Sequence, residues 1–271
     1  MSVDGLRFVI TGGAAGIGAG TAKLAASRGA RVAISDLNDT AGEALVDEIR
    51  KAGGDAFYHH CDVTDDAQVK ALMAAAHETF GGIDVLHNNA GIHESMLTKE
   101  LSLESMTRET FETVIGVNLT GVWLCAKYAL PFLRQSEYAS IINAGSTSSL
   151  SGYPQCQAYG ASKGAVLQLT KMLAVDLAPD RIRVNCYCPG SIHTQIVDKF
   201  LEAAPDPKAM LGTMTQTHLI PRMGQPIDVA ELVCFLASPE SAFVNGAAWT
   251  IDGGSLAWRG TLDVLGMEAQ S

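Results

Sequence analysis

The chain has 271 residues and a mass of 28.5 kDa, room for one large domain or two small ones, and its 47% hydrophobic fraction is ample for a buried core. Nineteen basic against 29 acidic residues give a formal charge of −10. With no basic cluster, nucleic acid and anionic membrane are not expected as partners.

Arg7–Thr11 is a short apolar run, expected as a buried strand. It runs straight into Gly12-Gly13-Ala14-Ala15-Gly16-Ile17-Gly18, and residues 16–28 are small, alanine-rich and helix-prone. A glycine loop between strand and helix is the setting for a dinucleotide diphosphate. Gly12 permits the turn, Gly16 lets the diphosphate approach, and Gly18 lets the helix pack on the strand. The N–H groups at the helix start, around Ile17, then meet the phosphate charge. The spacing is Gly-x3-Gly-x-Gly, not the general Gly-x-Gly-x2-Gly.

The next strand, 31–35, ends at Asp36, where a carboxylate can accept hydrogen bonds from ribose hydroxyls and repel a 2′-phosphate. Leu37, Asn38 and Ala15 carry no positive charge, so NAD is expected over NADP. The competing role for Asp36 is a cap on the following helix (40–52), which Asn38 or Thr40 can fill equally well.

Further strands are expected near 56–60, 84–88, 139–144, 182–188 and 247–251, with helices near 65–79, 107–133, 156–178 and 227–237. Near-continuous apolar strands alternating with helices, with no repeat or linker, predict one α/β domain over 1–271. Its core is a Rossmann-type, doubly wound parallel sheet of about seven strands with helices on both faces. The irregular stretch 191–225, with Pro205, Pro207 and Pro221, reads as a substrate lid, and about 255–271 as a C-terminal extension. No apolar stretch reads as long and uninterrupted enough to span a bilayer. The start, Met1-Ser2-Val3-Asp4-Gly5, lacks the regions of a signal peptide. Of six scattered cysteines, without a Cys-x2-Cys pair, most read as core residues of a reducing compartment; the cytoplasm is the expected location and no metal set is expected.

In the helix near 156–178, Tyr159 and Lys163 stand four residues apart, on one face. A cation ~4 Å from the phenol at an effective dielectric of ~20 is worth roughly 4 kcal/mol, or about 3 pKa units before screening and desolvation. That shift brings a phenol within reach of acid–base work near neutral pH. The plainer alternative is a core tyrosine beside a surface lysine.

Taken together these residues resemble the short-chain dehydrogenase/reductase family. Thr11-Gly12-x3-Gly16-Ile17-Gly18 is similar to its cofactor loop, Cys61-Asp62-Val63-Thr64 to its adenine-contacting strand end, and Asn88-Asn89-Ala90-Gly91 to the motif closing the fourth strand. Asn118, Ser146, Tyr159 and Lys163 fall where its catalytic groups stand, and Pro189-Gly190 resembles the turn after the sixth strand. The matches run in order from Thr11 to about Gly254. The resemblance implies hydride transfer between a nicotinamide and a secondary alcohol or ketone. Tyr159 moves the proton, while Lys163 lowers the tyrosine pKa and bonds the nicotinamide ribose. Ser146 holds the substrate oxygen, and Asn118 holds a water linking the lysine to solvent, satisfies backbone groups in a helix kink, or does both. Leu37, Asp62, Val63, Asn89, Ala90, Gly91, Pro189, Gly190, Ile192 and Thr194 would follow the cofactor, with a helix N-cap as the other role for Thr194. A homotetramer, or at least a dimer, built through helices 107–133 and 156–178 and the last strand is also implied.

Two stretches depart from the family pattern. Asn88 to Asn118 is several residues long, the excess lying around His93 to Arg108, and the tail with Trp258 and Arg259 passes the usual end. His93, Ser148, Tyr153, Cys156, Met210 and Met214, with Phe200 and Leu211, are candidate pocket residues. They suggest a largely apolar substrate, aromatic or alicyclic, and the absence of arginine from 191–220 leaves a carboxylate or phosphate no bidentate partner there. The alternatives are a 3-oxoacyl-type reductase, which would be expected to prefer NADP, and a non-catalytic dinucleotide-binding regulator, against which the intact Asn118, Ser146, Tyr159 and Lys163 set argues.

Overall fold

A computed structural model describes residues 2–202 and 206–268. Its strands are β1 (Arg7–Thr11), β2 (Arg31–Asp36), β3 (Asp55–His60), β4 (Val85–Asn88), β5 (Ser140–Ala144), β6 (Arg183–Pro189) and β7 (Ala248–Ile251). All pair in parallel in the order β3-β2-β1-β4-β5-β6-β7. The order reverses between β1 and β4, the crevice where open α/β sheets bind ligands at their carboxyl ends. The architecture is the Rossmann-like sheet that the sequence implies.

Both faces of the sheet are covered. On one, Phe8, Ile10, Val32 and Ile34 pack with α1 (Gly16–Ser27), α2 (Asp39–Lys51) and α9 (Pro226–Ala237). On the other, Val9, Ala33, Leu86 and Ile141 pack with α3 (Asp66–Phe80) and α5 (Gly121–Leu133). Alternation within each strand sends successive apolar residues to opposite layers, which is why the strands read as unbroken hydrophobic runs.

The single helix expected over 107–133 is α4 (Arg108–Ile115), a π-helical turn (Gly116–Thr120) and α5. The cause is long-range: the side chain of Asn118, inside that turn, is tied to the backbone of Ile92. As a unit, 108–133 is long and apolar enough to cross a membrane, contrary to the expectation of no such stretch. Leu124, Cys125, Ala126, Ala129 and Leu133 are nevertheless buried against the sheet, as in a core helix.

The lid expected as irregular contains two helices, α7 (Gln195–Glu202) and α8 (Pro207–Thr215), the second capped by the Asp206 carboxylate on Ala209 N–H. Residues 203–205, Pro205 among them, the Phe200 side chain and 269–271 lie outside the described residues. The tail folds back on the lid's base. Trp258 Nε1 donates to Thr217 O at 2.9 Å, Leu262 N donates to Gln216 O at 3.0 Å, and Leu262 is 1% exposed.

At the opposite, amino edge, the Asp84 carboxylate accepts from Arg7 Nε (2.7 Å), Arg7 Nη2 (2.6 Å), Arg7 N (2.9 Å) and Ser136 Oγ (2.5 Å). Burial pushes this carboxyl up, but the bonds from Arg7 and Ser136 outweigh it and hold the pKa below the ordinary range. A depressed folded pKa means stabilisation that is complete above about pH 4 and fades as pH falls through the folded value. Asp84→Asn should therefore cost about 3 kcal/mol in urea unfolding at pH 7, with the gap from wild type narrower at pH 3. An equal gap at both pH values would contradict this account.

Candidate active site

The diphosphate end of the crevice is built on the α1 start. Ala15 precedes the helix in extended conformation, no side chain caps it, and its first turn holds no acidic residue. The N–H groups of Gly16, Ile17 and Gly18 are thus left to an outside anion. Gly12 adopts φ +59°, and a Cβ there would sit 2.7 Å from Ala90 Cα. At Gly18 a Cβ would come 2.3 Å from Gly12 O, so helix, loop and β4 end meet backbone to backbone. This fits a dinucleotide diphosphate.

A strap holds the loop in that place. Asn89 Nδ2 donates to Thr11 O (3.1 Å) and Gly12 O (2.8 Å), and its Oδ1 accepts from Tyr187 OH at 3.2 Å. Because the Tyr187 proton goes to Asn89, His87 Nε2, 2.9 Å from the same phenol oxygen, must be the donor there. Burial brings the His87 pKa down to about 3, which keeps this ring neutral. Neither Tyr187 nor His87 stands out in the sequence, since each looks like any core residue of a strand.

At the adenosine end, Asp36 closes β2 on the crevice wall. Its Oδ2 accepts from Ala14 N and its Oδ1 from Asn38 N, both at 3.1 Å. The helix cap is Asn38, which accepts from Ala41 N at 3.1 Å, so the competing role for Asp36 is filled by its neighbour. Leu37, Asp62 and Val63 line the same wall, and Lys163 is the one Lys or Arg among the described residues lining the cleft. The cleft measures about 390 Å³ and passes Ala90, Gly91, Pro189, Gly190, Ile192 and Thr194 before reaching Ser146, Tyr159 and Lys163. Thr194 O accepts from Asp198 N (2.9 Å), which places the residue at the α7 start, against Gly16.

Tyr159 and Lys163 lie on α6 (Gln157–Asp176), and Ser146 follows β5. The Lys163 ammonium, 4% exposed, donates to Ala144 O at 2.8 Å and stands 5.7 Å from the Tyr159 ring centre. Ser146 Oγ accepts from Ser148 N (3.1 Å), leaving its proton for the phenol or a substrate oxygen. The expectation that Lys163 pulls the phenol toward neutrality does not hold in this structure. Burial raises the Tyr159 pKa above its usual 10; a bond from Ser146 opposes this, while Cys156, Glu94 and Cys188 add to it. Burial likewise lowers Lys163 to about 8. Spacing along a helix says nothing about desolvation, and here desolvation is the larger effect.

Asn118 is fully engaged. Its Oδ1 accepts from Ile92 N (2.8 Å), and its Nδ2 donates to Ile92 O (2.9 Å) and Ser162 Oγ (3.0 Å). That is the kink-bracing half of its expected role. A Cβ on Gly91 would touch both Asn118 Oδ1 and Lys163 Nζ at 3.3 Å, so both border one point of the crevice.

A short-chain dehydrogenase model described as "Enoyl-(Acyl carrier protein) reductase" matches residues 12–255. Cyclopentanol dehydrogenase of Comamonas sp. is 37% identical over 91% of this chain and 95% of its own length. L-fucose dehydrogenase of Oryctolagus cuniculus is 38% identical over 93% of this chain and 85% of its own. The solved structure of levodione reductase superposes with a TM-score of 0.89 at 31% identity, covering 94% of this chain and 99% of that one. The chain belongs to the short-chain dehydrogenase/reductase family. It is an oxidoreductase of a family that uses a nicotinamide dinucleotide, NAD or NADP.

Within this short-chain dehydrogenase, the six expected substrate residues do not line the cleft. His93 is buried with its ring 5.0 Å from that of Tyr159; its Nδ1 accepts from Ser95 N and its Nε2 meets Cys156 Sγ at 3.3 Å. Ser148 turns its N–H to Ser146, Tyr153 is 44% exposed, and Met210 and Met214 are half-buried on α8. Ile92, Met96, Val117 and Val197 line the cleft instead. Among the described residues no three His, Cys, Asp or Glu side chains gather as a metal set.

The raised Tyr159 pKa has a direct readout. A tyrosinate difference titration of the coenzyme-free protein, wild type against Tyr159→Phe, should show no Tyr159 ionisation below pH 10. A step near neutral pH would overturn the dominance of burial.

Proposed function

We propose that this chain is an NAD-dependent dehydrogenase that interconverts a secondary alcohol and a ketone on a largely apolar, alicyclic or aromatic skeleton. The observation that carries it is one cleft with Ser146, Tyr159 and Lys163 at one end and Asp36 at the other, where no cation stands ready for a 2′-phosphate. When bound, the nicotinamide supplies the hydride acceptor for oxidation and the donor for reduction.

The chain's own residues do the rest. The Ser146 hydroxyl donates to the substrate oxygen, holding the reacting carbon in place. Tyr159 takes the alcohol proton in oxidation and returns it in reduction. Lys163 keeps a fixed ammonium beside the phenol and has N–H groups beyond the Ala144 bond for a ribose hydroxyl. Asp36, with one backbone bond on each oxygen, retains lone pairs for the adenosine ribose. Asn118 acts through position, holding Ile92 to α6. Leu37, Asp62, Val63, Asn89, Ala90, Gly91, Pro189, Gly190, Ile192 and Thr194 shape the cofactor path.

Apolar lining by Ile92, Met96, Ile192 and Val197 supports an apolar substrate, as does the kinship to a cyclopentanol dehydrogenase. Kinship to an L-fucose dehydrogenase makes a sugar hydroxyl the alternative to include in the panel. Exposed Trp123 on α5 and Met172 and Val175 on α6 support assembly into a homotetramer through these helices. Cytoplasmic residence is proposed with the same reading.

Turnover of cyclic secondary alcohols, 3-oxoacyl thioesters and sugars should be measured with both coenzymes. NAD with cyclic alcohols should be fastest; NADPH preference with 3-oxoacyl substrates would replace this reading by the acyl reductase. Asp36→Ala combined with Leu37→Arg should move the NADP/NAD ratio of kcat/KM up by about tenfold or more, since about 1.4 kcal/mol is tenfold. An unmoved ratio means that Asp36 does not meet the ribose.

Tyr159→Phe should lower kcat by about 10²- to 10⁴-fold with little change in coenzyme affinity. Retained activity would remove Tyr159 from the chemistry, and a regulatory role that survives the substitution would favour a non-catalytic dinucleotide binder.

A further inference from the structure

The longer connection between β4 and α4 carries a carboxylate with no exposure at all, Glu94. We propose that Glu94 is a positioning residue of the reaction, fixing the start of α6 and with it the place and surroundings of the Tyr159 phenol. This rests on Tyr159 being the acid–base group.

The α6 helix needs such help. Its N-cap residue, Cys156, makes no side-chain cap, its first turn holds no acidic residue, and the preceding Gln155 is at φ +58°. The first intrahelical bond is Gly160 N to Cys156 O at 2.8 Å. The N–H groups of Ala158 and Tyr159 are therefore among those that no helix can satisfy internally. Glu94 accepts both, Oε1 from Ala158 N at 3.1 Å and Oε2 from Tyr159 N at 3.2 Å. The carboxylate comes from 64 residues upstream, yet one of its two acceptors is the amide of Tyr159 itself. A second tether, Gln157 Nε2 to Leu101 O at 3.0 Å, holds the same turn to the same insertion.

The anion also complements the helix dipole. Around Tyr159 stand Ser146 after β5, Tyr187 and Cys188 on β6, His93 and Glu94 on the insertion, and Cys156 and Lys163 on α6. Burial raises the phenol's pKa, and Cys156, the Glu94 carboxylate and Cys188 add to it. Glu94→Gln removes that charge and turns one acceptor into a donor, without changing size. A merely structural side chain would change the melting temperature alone. A positioning residue changes the plateau and pH limb of the reaction as well.

The test measures alcohol oxidation against pH for wild type, Glu94→Gln and Tyr159→Phe, with NADH fluorescence titration as the check on the coenzyme site. Glu94→Gln should lower kcat by about 10- to 100-fold, leave NADH affinity unchanged, and move the rising limb to lower pH by about half a unit or more. Cys156→Asp, which puts a substitute acceptor at the N-cap of α6, should restore folding and part of kcat to Glu94→Ala. Wild-type kcat and limb in Glu94→Gln, with Tyr159→Phe inactive, overturn the proposal, as does failure of Cys156→Asp to restore anything. Activity retained in Tyr159→Phe instead removes the reading on which the proposal stands.

Discussion

The active end of this fold is governed by the burial of a phenol and an ammonium together. Desolvation opposes the charged form of each, so proximity alone does not produce a tyrosinate. What the chain provides is a set of directed polar atoms: the Ala144 carbonyl for the ammonium, the Ser146 hydroxyl for the phenol, and Glu94 for the helix that carries both. A low dielectric makes each of those bonds matter more than it would in water. It also makes the site sensitive to any charge that later binds in the cleft.

The two edges of the sheet divide the work. At the amino edge, Arg7, Asp84 and Ser136 close a satisfied ion pair whose contribution is stability. At the carboxyl edge, backbone groups are left open: the α1 start has no cap, and Asp36 keeps lone pairs after accepting two backbone N–H groups. Between the edges, the chain of His87, Tyr187 and Asn89 ties β4, β6 and the glycine loop into one piece. The loop is thus supported from below by buried polar groups, and its upper surface remains for a diphosphate.

Much of this was legible because its causes are local. A strand ending in Gly12 to Gly18, a carboxylate at the end of β2, and Tyr159 and Lys163 one helical turn apart are patterns of neighbouring residues. The strand limits fell within a residue or two for the same reason, since an unbroken apolar run has few alternatives. Long-range causes were not legible. The π turn at Asn118 follows from bonds to Ile92, 26 residues away, and the α6 cap comes from Glu94, 64 residues before Ala158. Nor does spacing report burial, and the sign of the Tyr159 shift turned on burial.

The insertion shows the same lesson in one segment. Its position beside the site made His93 look like a substrate residue, and its length made it look like a specificity loop. Instead His93 turns to Ser95 and Cys156, Glu94 turns to α6, and Gln157 reaches back to Leu101. The Glu94 carboxylate and the Leu101 carbonyl of the segment are thus occupied in holding the helix. What it offers the cleft is Met96, a flexible apolar side chain opposite Ile192 and Val197 of the lid region. The tail, bonded through Trp258 and Leu262 to the lid's base, restrains the other side of that region. Met96 on one side and Ile192 and Val197 on the other thus border the cleft as two apolar surfaces, each anchored to the fold by hydrogen bonds outside it.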